Sequence, residues 1–125
     1  MAKILTVEDE GLVRILIVET LLDAGHTVLE APDGELALAI VKENPDIDLI
    51  VTDVRMAKLD GFALACAAKR LRPGLAVLFM TGYMGTDVPA ELSFAKVMQK
   101  PFDPDDLVVA VNHMLYKQAA GRTAT

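Results

Sequence analysis

Basic residues are the minority charge in this sequence, at 12 Lys and Arg against 18 Asp and Glu, for a net charge of −6 and a pI near 4.8. A nucleic-acid binder needs a phosphate-neutralising basic surface, so that role is excluded for the chain as a whole. Cysteine is almost absent. Cys66 stands alone, which rules out an intramolecular disulfide and argues against a cysteine-based zinc site. Long hydrophobic runs are missing too. Stretches such as Leu75 to Met80 fall far below the roughly 18–20 apolar residues that a membrane-spanning helix needs. The opening residues reach Glu8-Asp9-Glu10 too soon for a signal peptide, so a cytoplasmic location is expected. There is no internal repeat, low-complexity tract or linker that marks a second domain.

What is present is a chain of 125 residues, 53% hydrophobic and 24% charged, the composition of one packed globule. Short runs rich in Val, Ile and Leu alternate with longer helix-patterned stretches. Strands are expected at Lys3–Val7, Thr27–Glu30, Leu49–Thr52, Ala76–Met80 and Ala95–Met98. Helices are expected from Gly11 to Ala24, with Leu12, Ile15, Leu16 and Leu22 at helical spacing, and from Gly34 to Asn44 after an Asp33 cap. A third runs from Gly61 to Arg72 after Asp60. The last starts with Asp103 as cap and Pro104 at the first helical position. Residues 82–94 form the weak segment. Gly82, Gly85 and Pro89 disfavour a helix there, at about 1 kcal/mol per glycine and about 3 per interior proline, so a short or mobile fourth helix, confined to the stretch after Pro89, is expected. After Gln118, residues 119–125 read as a flexible tail to a domain covering residues 1–118. The alternation implies an α/β fold with a parallel sheet, covered on both faces through right-handed crossovers. At this length, a flavodoxin-like doubly wound (βα)5 fold with strand order 2-1-3-4-5 is expected.

In that order strands 1 and 3 are neighbours, and ligands bind beyond their C-terminal ends. Strand 1 runs into Glu8-Asp9-Glu10 and strand 3 into Asp53. Two like charges about 4 Å apart repel by about 4 kcal/mol at an effective dielectric of 20. Such a cluster calls for a cation, and an all-oxygen ligand set suits Mg²⁺, with Mn²⁺ as the alternative. Strand 4 ends at Thr81 and strand 5 near Lys100. A hydroxyl and an ammonium facing a metal-bound carboxylate form a place for a phosphoryl group, with Asp53 as nucleophile and an acyl phosphate as product. No glycine-rich cradle follows strand 1, so neither a P-loop nor a dinucleotide fingerprint is present. The plainer reading of Glu8-Asp9-Glu10 is an acidic cluster at a helix N-terminus, worth about 0.3–1 kcal/mol per charge. Asp60 reads as an N-cap and Cys66 as a packing residue.

Glu8-Asp9, Asp53, Asp60-Gly61, Thr81 and Lys100-Pro101, in this order on this alternation, resemble the receiver domain of two-component response regulators, the CheY-like family, over about residues 3–118. The resemblance implies that a sensor histidine kinase or a histidine phosphotransfer protein donates phosphate to Asp53. It implies Asp9 and Asp53 as direct Mg²⁺ ligands, Glu8 acting through water, and the backbone carbonyl of Arg55 as a further ligand. It also implies a cis peptide before Pro101. Two departures stand out: Ala57 replaces the usual proline, and Val97 replaces the aromatic switch residue three positions before the lysine. Phe79-Met80-Thr81-Gly82-Tyr83 resembles a subclass with a Phe-x-Thr-Gly-Tyr signature, many of whose members are single-domain, and Tyr83 is expected to take over switching. The resemblance makes the chain a stand-alone signalling protein, not an enzyme acting on other substrates, and a monomer or weak dimer. Its output is contact with an unknown downstream protein, passage of phosphate onward, or drainage of phosphate from a kinase; the contact face implied is residues 84–118, with Lys96, Val97, Phe102 and Asp106 as candidates. A small aspartyl-phosphate-type phosphatase is the competing reading, although Arg55 stands where that chemistry wants an acid. A flavin module of similar fold lacks its phosphate loop.

Overall fold

The computed structural model describes residues 2–56, 58–82, 88–92 and 94–123, with side chains through Lys117. Strands β1 (Lys3–Val7), β2 (Thr27–Ala31), β3 (Leu49–Asp53), β4 (Ala76–Thr81) and β5 (Lys96–Gln99) form one parallel sheet in the order β2-β1-β3-β4-β5. Helices α1 (Gly11–Asp23), α2 (Gly34–Glu43), α3 (Gly61–Leu71) and α4 (Pro104–Thr123) cover its two faces. This is the expected doubly wound order. The three inner strands show the parallel-core signature, β1 buried from Ile4 to Val7, β3 from Leu49 to Thr52 and β4 throughout, whereas the edge strands β2 and β5 are largely open on their outer sides. Alternate side chains feed two half-cores. Leu5, Val7, Ile50, Val77 and Phe79 pack with Ala37, Val41, Leu64 and Ala68 under α2 and α3. Ile4, Leu49, Val51, Leu78 and Met80 pack with Ile17, Leu21, Leu107 and Val111 under α1 and α4. Each fully buried Leu, Ile or Phe contributes about 1.5–3 kcal/mol.

The described part of the fourth crossover holds a single 3-10 turn, Ala90–Leu92, in line with the short element expected after Pro89. Pro89 opens that turn, its carbonyl accepting the Leu92 N–H at 2.9 Å. Two details, in α4 and α1, depart from the sequence expectation. Helix α4 runs to Thr123, past the boundary expected at Gln118, since Ala119 and Ala120 are the strongest helix formers. On α1 the buried residues are Ile17 and Leu21, while Leu12, Ile15, Leu16 and Leu22 are exposed. That helix is apolar nearly all round, so periodicity alone cannot select its inner face.

Candidate functional site

The parallel register brings four strand ends to one rim. Val7 pairs with Thr52, Asp53 with Met80, and Thr81 with Gln99. The ladders continue one residue further: Glu8 N–H donates to Ala31 O (3.2 Å), Val54 N–H to Met80 O (3.1 Å) and Lys100 N–H to Thr81 O (2.7 Å). Glu8, Asp53, Thr81 and Lys100 are thus held by sheet hydrogen bonds, not by free loops.

At that rim Glu8, Asp9 and Asp53 each offer a carboxylate oxygen, and these atoms lie within 4.8 Å of one another. Glu8 is 1% exposed, Asp9 is exposed and Asp53 is half-buried. Lys100, which precedes the cis peptide to Pro101, extends its ammonium into the cluster. Nζ donates to Glu8 Oε1 at 2.5 Å and to Asp53 Oδ2 at 3.1 Å. The other Glu8 oxygen, Oε2, accepts the Glu10 N–H at 3.2 Å. Burial pushes the Glu8 carboxyl above its usual range, and the Asp53 charge adds to this against the hydrogen bonds from Lys100 and Glu10. Burial also works to lower the Lys100 pKa. The hydrogen bonds to Glu8 and Asp53 outweigh it and leave that pKa raised.

The residues present fit a hard divalent cation. The donor set is all oxygen and its negative charge exceeds that of the one lysine within it. Both Glu8 oxygens already accept hydrogen bonds from the protein, whereas Asp9 opens to solvent.

Two helix-opening glycines let the chain pass close to the β3–α3 connection, Gly61 against Asp53 and Gly34 against Leu59. A Cβ on Gly61 would lie 2.2 Å from the Asp53 carbonyl oxygen, and one on Gly34 would lie 2.0 Å from that of Leu59. Asp60 caps α3, its Oδ1 accepting Ala63 N–H at 2.8 Å, and Asp33 caps α2 by accepting Leu36 N–H at 2.9 Å. Both caps agree with the sequence reading.

Of the residues singled out in the sequence, Glu8, Asp9, Asp53 and Lys100 come together. Thr81 lies buried at the end of the adjoining strand, and Arg55 follows Asp53 with an exposed side chain. Val97 sits on the edge strand opposite Phe79, 37% exposed. Tyr83 and Ala57 lie outside the described residues. Cys66 is half-buried against the core, as a packing residue. Sequence reasoning missed the direct Glu8–Lys100 pair. It also missed Arg14, whose Nη1 donates to the Glu8 carbonyl at 2.8 Å and whose Nε donates to Glu30 Oε1 at 3.0 Å. The available signal was a lone cation in an otherwise apolar stretch of α1, one turn beyond the acidic run.

Comparison with known proteins bears on the same residues. Residues 4–112 match the family described as response regulator receiver domain. The response regulator receiver protein CpdR of Brucella abortus (strain 2308) is 35% identical over 121 residues, covering 92% of this chain and 98% of the relative. The sensor kinase CckA of the same organism is 36% identical over 122 residues, and there the chain spans only 13% of the relative's length. Among solved structures, a receiver domain protein from Clostridium thermocellum superposes with a TM-score of 0.88 at 31% identity, covering 96% of this chain and 98% of that one. The receiver domain of the hybrid histidine kinase CckA gives 0.80 at 37%, covering 90% and 98%. A match that spans nearly the whole sheet, and meets a carboxylate–lysine rim at the strand ends, makes the chain a member of the response regulator receiver domain family of two-component systems.

Proposed function

We propose that Asp53 is a phosphoacceptor, receiving a phosphoryl group from a phosphohistidine on a sensor histidine kinase or histidine phosphotransfer protein. The phosphorus–nitrogen bond of the donor breaks as a phosphorus–oxygen bond forms to an Asp53 carboxylate oxygen, giving an acyl phosphate. The observation that carries this reading is the Lys100 ammonium lying between Glu8 and Asp53 at the end of the sheet. A fixed cation at the nucleophile stabilises the charge on incoming phosphoryl oxygens with little reorganisation. Asp9 and Asp53 would hold Mg²⁺ directly, Glu8 through water and Arg55 by its carbonyl; the ion supplies further neutralisation of the phosphoryl oxygens. Thr81, at the end of β4, donates its hydroxyl to the bound phosphoryl group. Glu8 holds Lys100 in place until that group competes for the ammonium.

The protein acts on its own aspartate and on no other substrate, in the cytoplasm, as a monomer or weak dimer. Among the described residues no helix is long and apolar enough to cross a membrane. Output passes to a downstream protein across β5 and α4, where Lys96, Val97 and Asp106 are exposed and Phe102 is half-buried. With valine at position 97 the inward swing of an aromatic ring is unavailable at that site, and the switching role falls to Tyr83 and the segment after it.

The test is mass or ³¹P detection of phosphate after mixing with a low-molecular-weight acyl phosphate and Mg²⁺. One phosphate per chain, lost in Asp53→Asn, is expected. Turnover of a generic phosphate ester would instead establish a phosphatase.

A further inference from the structure

The turn between β1 and α1 carries two of the three clustered carboxylates, and Asp9 on it is exposed. Its side chain is therefore placed through its backbone. Glu10, at the N-cap of α1, makes no side-chain capping bond. Arg14 supplies a constraint from outside the turn. One guanidinium edge reaches back from α1 to the carbonyl of Glu8 (2.8 Å), and another atom of the same group bonds Glu30 on β2 (3.0 Å). The Glu8 carbonyl belongs to the peptide whose nitrogen is that of Asp9, so the bond fixes the plane from which the Asp9 side chain departs. Arg14 is only 21% exposed. A planar guanidinium can serve both acceptors at once, which an ammonium on a flexible stem cannot do with the same geometry.

We propose that Arg14 is a positioning residue for divalent-cation binding: it orients the Glu8–Asp9 peptide and thereby holds the Asp9 carboxylate toward Asp53. The Glu30 contact aims the guanidinium but is secondary. The inference rests on the reading that the acidic cluster takes up Mg²⁺.

The experiment compares the wild-type chain with Arg14→Gln, Arg14→Lys and Glu30→Gln, by calorimetric titration with Mg²⁺, amide exchange over residues 8–10, and acyl-phosphate labelling of Asp53. Arg14→Gln is expected to weaken Mg²⁺ binding about tenfold, the scale of one charge-assisted hydrogen bond, and to speed exchange at the Glu10 N–H. Its labelling returns to within about twofold of wild type at saturating Mg²⁺, a recovery that a general loss of structure does not give. Arg14→Lys is expected to lose about threefold in affinity, and Glu30→Gln less than about twofold. Arg14→Gln binding Mg²⁺ within about twofold of wild type overturns the proposal, as does labelling that stays depressed at saturating Mg²⁺, or a Glu30→Gln loss equal to that of Arg14→Gln. Should Arg14→Gln fail to fold, an undiminished affinity in Arg14→Lys overturns it. A wild-type chain that takes up no Mg²⁺ sinks the cation reading and this proposal together; normal wild-type uptake with an unaffected variant sinks the proposal alone.

Discussion

Replacing Gly61 by alanine sets two effects against each other, and the structure decides which wins. Gly61 opens α3, and by propensity alone alanine stabilises such a site by about 0.4–1 kcal/mol, through a less flexible unfolded chain. Here the added methyl group would stand 2.2 Å from the Asp53 carbonyl oxygen and 3.0 Å from Val54 Cα. Both are backbone atoms fixed in the sheet, so neither can swing aside. Overpacking against rigid neighbours costs about 1–3 kcal/mol, and a contact this short belongs at the upper end, leaving a net loss of about 2 kcal/mol. An unfolding entropy of about 2.1 cal/mol/K per residue over this chain is about 0.26 kcal/mol/K, so Tm falls by about 8 °C. Gly11 is the matched control: it also opens a helix, and a Cβ there meets nothing within 4 Å. Gly11→Ala is expected to raise Tm by about 2–4 °C. Thermal unfolding followed by far-UV circular dichroism reads both, and phosphate labelling of Asp53 is expected to fall only in Gly61→Ala. A Gly61→Ala protein at or above the wild-type Tm would refute the close-approach argument, as would shifts of the same sign in the two variants.

Lys100→Met leaves Glu8 buried without its cation, and at pH 7 a stability loss of about 2–3 kcal/mol is expected, below the value for a fully buried pair because Lys100 is partly exposed. The Glu8 carboxyl already lies above its ordinary range and rises further without Lys100, so the folded state binds the extra proton and the deficit shrinks as pH falls toward 5; urea midpoints at pH 7 and 5 check this. His26 accepts the Ala2 N–H at Nδ1 and is held below its ordinary pKa, chiefly by burial. Its stabilising contribution is complete above about pH 6.5 and is lost as pH falls through the lowered folded value, so the difference in urea midpoint between wild type and His26→Asn narrows on acidification. Mg²⁺ at about one hundred times its dissociation constant is expected to stabilise the chain by about 2.7 kcal/mol, some 10 °C in Tm, and Asp9→Asn to abolish the increment; an unchanged increment would remove Asp9 from the ligand set.

The sheet was legible because its strands advertise themselves: runs such as Ala76–Met80 have nowhere to go but a core closed on both faces. Asp33 and Asp60 were legible as caps because the bond they make is local, three residues along the chain. The gathering of Glu8, Asp9, Asp53 and Lys100 followed from strand order, since each ends or follows a strand. What pattern could not supply was partner choice across long separations. Glu8 pairs with a lysine 92 residues away, and no local periodicity encodes that contact. Nor could it pick the inner face of α1, where apolar residues surround the axis, or the close approaches at Gly34 and Gly61, which depend on how neighbouring elements dock.

The bare leucines of α1 bear on how the protein behaves in a test tube. Leu12 is 81% exposed and Ile15, Leu16 and Leu22 are each about half exposed, a greasy ridge that invites molecules to stick to one another. At neutral pH the surplus of six negative charges keeps copies apart. Near pH 4.8 that colloidal protection vanishes, and concentrated solutions are expected to turn cloudy there well before the fold itself gives way.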